Sequence, residues 1–221
     1  MRIRYTKKRF LIEQESEITN QPQSNSISGF DKVIEKITSK GQYTEEQINK
    51  IKDFIRKSGV VDLEITPIRN AAGIALDNKI IISPQVFEYP ITRLLYILFH
   101  EVAHAYQFKK YGQTEKWNMY INEQPVEESA KFMKYLENIA DEFAIRKLRE
   151  LANLGLITKL HVDLIYPVYS STPLNYFIKF IEFFRKKIND AGITDRQQIN
   201  ELFYRYAVIG NMEILKQYRQ N

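Results

Sequence analysis

The chain contains no cysteine. That excludes disulfides, thiolate metal sites and a cysteine nucleophile, and it fits a reducing compartment without requiring one. Histidine is scarce as well, with three in 221 residues. No apolar run approaches the length of a membrane span; the longest, Leu94 to Phe99, is broken at once by His100 and Glu101. The basic start is followed by neither an apolar stretch of signal-peptide length nor a small-residue cleavage site. A cytoplasmic protein without a membrane partner is therefore expected, with virion association as the alternative. Tryptophan occurs once, yet aromatics reach 13% and apolar residues 44%. That is enough to build a substantial core and argues against disorder throughout.

The formal charge of +5 is unevenly placed. Residues 1 to 12 hold Arg2, Arg4, Lys7, Lys8 and Arg9 and no acid; setting these aside leaves 27 bases against 27 acids. The excess therefore belongs to the first dozen residues. Such a segment reads first as a solvated basic edge or strand. Tyr5 and Phe10 interleave with the charges, so nucleic acid or acidic lipid is the less favoured partner.

Glu13 to Ser28 is polar and reads as a linker. Phe30, Val33, Ile34 and Ile37 have helical spacing. Thr44-x-x-Gln47 is a capping-box pattern that opens a second helix, with Ile48, Ile51, Phe54 and Ile55 on its buried face and Gly59 at its end. A β-rich stretch follows. Val60 to Thr66 alternates, and Ala71 to Leu76 and Lys79 to Ser83 flank the hairpin dipeptide Asp77-Asn78. Ile91 to Lys109 predicts a long amphipathic helix that Gly112 stops. Pro125 introduces another, from Val126 to Leu154, ending at Gly155. Leu174 to Ile188 is an apolar helix whose Phe177, Phe180, Phe183 and Phe184 read as core. Two more helices are expected at 196–209 and 212–218.

One run of five residues carries chemistry. His100-Glu101-Val102-Ala103-His104 puts two imidazoles one helical turn apart on one face, with a carboxylate beside them. Two histidines in this spacing can grip one metal ion, and the glutamate can reach a water on it. Without a metal, the same residues would be a polar patch amid Leu98, Phe99, Val102 and Ala103, which is costly to bury. A catalytic zinc takes three protein ligands, so a third is needed. Glu137 on the following helix can supply it; Glu123, Glu127 and Glu128 are rivals, although they precede or open that helix and suit its dipole. Asp141, one turn after Glu137, can accept a hydrogen bond from a ligand histidine or form a surface ion pair. Ala140 and Ala144 are small enough for close helix packing. Glu101 is the expected general base. His161, Tyr166 and Tyr169 are candidates to stabilise a transition state, each with a structural role as the simpler account.

The pair H-E-x-x-H and E-x-x-x-D on successive helices resembles the gluzincin class of zinc metallopeptidases. The stretch Gly73 to Ser83 before the motif, and Glu137, Ala140, Asp141, Phe143 and Ala144 after it, resemble their small members, the minigluzincins and anti-repressor proteases of mobile elements. The resemblance covers about residues 44 to 152. It implies a zincin-like fold, one zinc per chain, a protein or peptide substrate, and Lys79, Ile80, Ile81, Ile82 and Ser83 as the edge strand along which substrate lies. Gln107 and Lys110 stand where a metzincin needs glycine and histidine.

The expected fold class is α+β: a small mixed sheet with an active-site helix and a ligand helix. Residues 1–28 form a basic segment and linker, 29–165 the metallopeptidase domain, and 166–221 a helical C-terminal subdomain. A binding or structural module in a virion or mobile-element assembly is the alternative function; an intact Glu101 weighs against it.

Overall fold

The computed structural model describes residues 28–40, 43–57, 62–68, 72–75, 79–111, 125–165, 167, 170–190 and 192. The basic N-terminal segment, Glu123, Tyr166, Tyr169 and the helices expected at 196–209 and 212–218 lie outside them. The fold is mixed α+β, mostly helical, with a three-stranded mixed sheet.

Helix α1 (Ser28–Lys40) buries Phe30, Val33, Ile34 and Ile37, the face that the spacing predicts. Helix α2 (Glu45–Lys57) begins with the expected capping box. The Thr44 backbone N–H donates to Gln47 Oε1 at 2.9 Å, and the Gln47 N–H donates to Thr44 Oγ1 at 3.3 Å. Ile51 and Ile55 are buried, while Ile48 and Phe54 are half-buried against the same core.

Strands β1 (Leu63–Ile65), β2 (Gly73–Ala75) and β3 (Ile80–Ile82) follow. Their order in the sheet is β1-β3-β2. β2 and β3 form the antiparallel arms expected around Asp77-Asn78, with Ile74 opposite Ile81. β1 pairs with β3 in parallel, with Glu64 opposite Ile81. Lys79 to Ser83 therefore supplies the central strand of the described sheet, not an edge. Both of its sides are occupied by ladder bonds, including Ile80 N–H to Asp62 O at 2.8 Å and Ser83 N–H to Ala72 O at 2.9 Å. Ile80, Ile81 and Ile82 are all buried, as a strand covered on both faces requires. The described edges are β1 and β2.

A 3-10 turn at Pro84–Glu88 leads into α3 (Ile91–Tyr111), the helix of the His pair. Helix α4 (Val126–Asn153) is the second long helix. It ends in a Schellman motif: Gly155 has φ +69°, its N–H donates to Ala152 O at 3.0 Å, and Leu156 N–H donates to Leu151 O at 3.0 Å. Leu156 is buried, giving the apolar contact that accompanies this cap. A short helix α5 (Lys159–Asp163) and the Phe-rich α6 (Leu174–Asp190) complete the described elements.

Contacts divide the chain into two compact units. The first holds 1–68, 72–106 and 139–167; the second holds 69–71, 107–138 and 168–221. The main core lies in the first, where α1, α2, the sheet, α3 and the second half of α4 contribute Ile37, Ile55, Ile82, Phe99, Phe143 and Leu148. In the second, Ala130, Leu136, Tyr176, Phe177, Phe180 and Ile181 are buried. Phe183 there is half-buried, and the Phe184 side chain lies outside the described residues. Arg185 donates to Ser129 Oγ at 2.9 Å, and Lys134 donates to the Thr172 carbonyl. No described helix is long and apolar enough to cross a membrane.

Candidate metal centre

The middle of α3 is buried on nearly all sides from Leu94 to Phe99, so the helix carries His100 and His104 into the interior. His100 is 5% exposed and His104 9%. Helical spacing sets their rings edge to face with centroids 4.7 Å apart and brings the two Nε2 atoms to 3.0 Å. Two nitrogens this close share one hydrogen between them or face one cation.

Asp141 on α4 indicates the tautomer. Its side chain is fully buried, and its Oδ1 lies 3.0 Å from His100 Nδ1. The contact departs from a linear hydrogen bond and is chiefly electrostatic. An acceptor on the Nδ1 side favours the proton there and leaves the Nε2 lone pair directed at His104. The structure thus places Asp141 beside the outer nitrogen of His100, and its burial rules out the surface ion pair.

Glu137 stands one turn before Asp141 on the same unbroken helix. One donor atom from each of His100, His104 and Glu137 lies within 4.8 Å of the other two. The three form a group that could hold a metal ion. The donor set fits such an ion: two imidazole nitrogens and one carboxylate suit a first-row divalent metal. A tetrahedral site with metal–nitrogen bonds of about 2.0–2.1 Å separates its nitrogens by roughly 3.3 Å, close to the spacing found here. Among the described residues, Glu127 and Glu128 do not join this group. They open α4 and pair with Lys131, Glu127 at 2.8 Å and Glu128 at 3.1 Å. The hydrogen bond from Lys131 holds the Glu127 carboxyl below its usual pKa.

Glu101 follows His100 on α3 and is half-buried. Its side chain lies against β2 at Gly73. A Cβ at that position would stand 2.8 Å from Glu101 Cγ and 3.1 Å from Oε1. The absence of a side chain at 73 is what makes room for the carboxylate arm. Ala140 and Ala144 are fully buried in the same core cluster as Val102 and Ala103.

No family model matches the chain. No curated protein and no solved structure matches it at a significant level either.

His161 is exposed on α5 and lines a separate open pocket of about 720 Å³ with Tyr43, Gln47, Tyr89 and Thr92. None of the metal-binding group lines that pocket. Burial raises the Tyr43 hydroxyl above the usual tyrosine pKa.

Three residues of the site's surroundings were not anticipated from the sequence. Tyr96 donates from its hydroxyl to Asp141 Oδ1 at 2.5 Å. Its signal was available, since it carries the one side-chain polar atom in the run Leu94 to Phe99 and lies one turn before His100. Gly73 was legible only as part of a hairpin. Gln107, fully buried, donates from Nε2 to the Leu136 carbonyl at 2.8 Å, beside Glu137. The position that departs from the metzincin pattern therefore carries a buried polar tie between α3 and α4.

Proposed function

We propose that the chain is a zinc-dependent metallopeptidase of gluzincin type with a zincin-like fold, hydrolysing peptide bonds in a protein or peptide. The observation that carries this reading is the gathering of His100, His104 and Glu137 around one point, with Glu101 adjacent to the His pair in sequence. Two imidazoles and one carboxylate, with a second carboxylate next to the first imidazole on the same helix, are what such chemistry requires. His100, His104 and Glu137 hold the ion, and Asp141 orients the His100 ring. Zinc held there supplies a Lewis acid for the scissile carbonyl and lowers the pKa of a water to about 7. Glu101 takes the water's proton at a carboxylate oxygen and returns it to the leaving amine nitrogen. The burial of Phe99, Val102 and Ala103 beside the motif keeps bulk water away from the ligand nitrogens.

The decisive comparison is wild type against Glu101→Gln. Metal analysis should find one zinc per chain in both. Cleavage of casein or a peptide library should fall by about 10²–10⁴-fold in the variant, the usual contribution of a general base. A wild-type protein that holds zinc but cleaves no peptide refutes the peptidase and favours the binding module. A protein that takes up no zinc refutes the centre itself.

A further inference from the structure

We infer that Tyr96 is a positioning residue of the metal centre, acting on His100 through Asp141. The inference rests on the metal-binding part of the reading above and is independent of peptide cleavage. Tyr96, Asp141 and His100 are 3%, 0% and 5% exposed. The Tyr96 hydroxyl and His100 Nδ1 approach the same carboxylate oxygen, Oδ1, at 2.5 and 3.0 Å. A carboxylate removed from water needs donors, and each one it gains restricts its rotation. With the tyrosine bond in place, Oδ1 is pinned on the Nδ1 side of the imidazole. Without it, Oδ1 loses the hydrogen bond that α3 donates to it at this point, and the carboxylate holds the His100 ring less firmly.

Tyr96 is itself held from two directions. It lies one turn before His100 on α3, with ring centroids 6.0 Å apart. The Arg93 guanidinium packs over its ring, 4.9 Å from the centroid. The result is a line of groups in which half-buried Arg93 packs on buried Tyr96, Tyr96 bonds Asp141, and Asp141 faces His100. Groups that act on a ligand histidine through its outer nitrogen set how well the ring presents its inner lone pair.

The test is zinc affinity, measured on the full chain by competition with a chromophoric chelator and without substrate. Tyr96→Phe should bind zinc about 10–100-fold more weakly, the loss typical of an outer hydrogen-bond partner. In an Asp141→Asn background the same substitution should change affinity by less than about twofold, because the route from Tyr96 to His100 is already broken. Unchanged affinity in Tyr96→Phe overturns the inference and leaves the metal centre standing. An equal loss in both backgrounds also overturns it, since Tyr96 would then act by general packing. A wild-type chain that binds no zinc refutes the centre and the inference together, whereas zinc binding without cleavage bears only on the peptidase. One measurement needs no variant to fold: the wild-type Tyr96 hydroxyl proton should give a slowly exchanging, downfield NMR resonance. Its absence refutes the bond to Asp141.

Discussion

A single methyl group separates Gly73 from alanine, and the Glu101 side chain occupies the space that methyl would need. The nearest obstacles are the Cγ and Oε1 of Glu101 and, at 3.1 Å, the Cδ1 of Ile82. All belong to flexible side chains rather than to backbone, so Gly73→Ala should fold, at a cost of about 1–3 kcal/mol. The carboxylate is the group that has to give way. Displacing a base by about 1 Å can cost on the order of 10²-fold in rate. The expected result is a variant with its full zinc content whose kcat/KM for peptide cleavage falls about 10–100-fold. Wild-type turnover in Gly73→Ala would mean that Glu101 works from another position. The same contrast of effects separates the residues around the histidines: Glu101 should govern turnover, whereas Asp141 and Tyr96 should govern metal affinity.

Local chemistry made most elements legible. The Thr44–Gln47 box, the Gly155 stop and the apolar spacing of α1 and α4 are written within a few residues of where they act, and each folds as its pattern dictates. Strand order is decided by pairing between distant segments, which no local pattern encodes. Even so, Ile80-Ile81-Ile82 carried a hint: three consecutive isoleucines would make a sticky, exposed edge, and burial in the centre removes that hazard. The central place of β3 also explains Lys79, which forms an ion pair with Glu64 on β1. Hydrogen bonds from Lys79 and from Thr66 hold the Glu64 carboxyl below its usual pKa. A carboxyl depressed in the folded state adds stability above its unfolded pKa of about 4.3 and loses it as pH falls through the lower, folded value. Glu64→Gln should therefore flatten the decline in stability below about pH 4.3 and leave its pH dependence near neutrality unchanged. Urea denaturation of both proteins at a series of pH values measures this. Identical slopes in acid would show that the β1–β3 ion pair contributes nothing measurable.

A chain without cysteine has no covalent cross-link to restrict its unfolded state, so its stability rests on the buried core and on whatever ligand the folded state binds. His100, His104 and Glu137 come from two helices separated in sequence, and their donor atoms meet only when both helices are in place. An ion held by all three therefore favours the folded chain over the unfolded one. At free zinc about 100-fold above its dissociation constant, the gain is about 2.7 kcal/mol. For a protein of this size, each kcal/mol raises Tm by roughly 2–4 °C, so zinc should lift the Tm of the chelator-treated protein by roughly 5–11 °C. Glu101→Gln should keep that increment, because its carboxylate does not hold the ion. His104→Ala should lose nearly all of it, and Tyr96→Phe should require more zinc to reach it. Differential scanning calorimetry across a zinc titration reads all four proteins in one experiment. A wild-type Tm indifferent to zinc would mean that the two imidazoles meet for a hydrogen bond to each other and not for a metal.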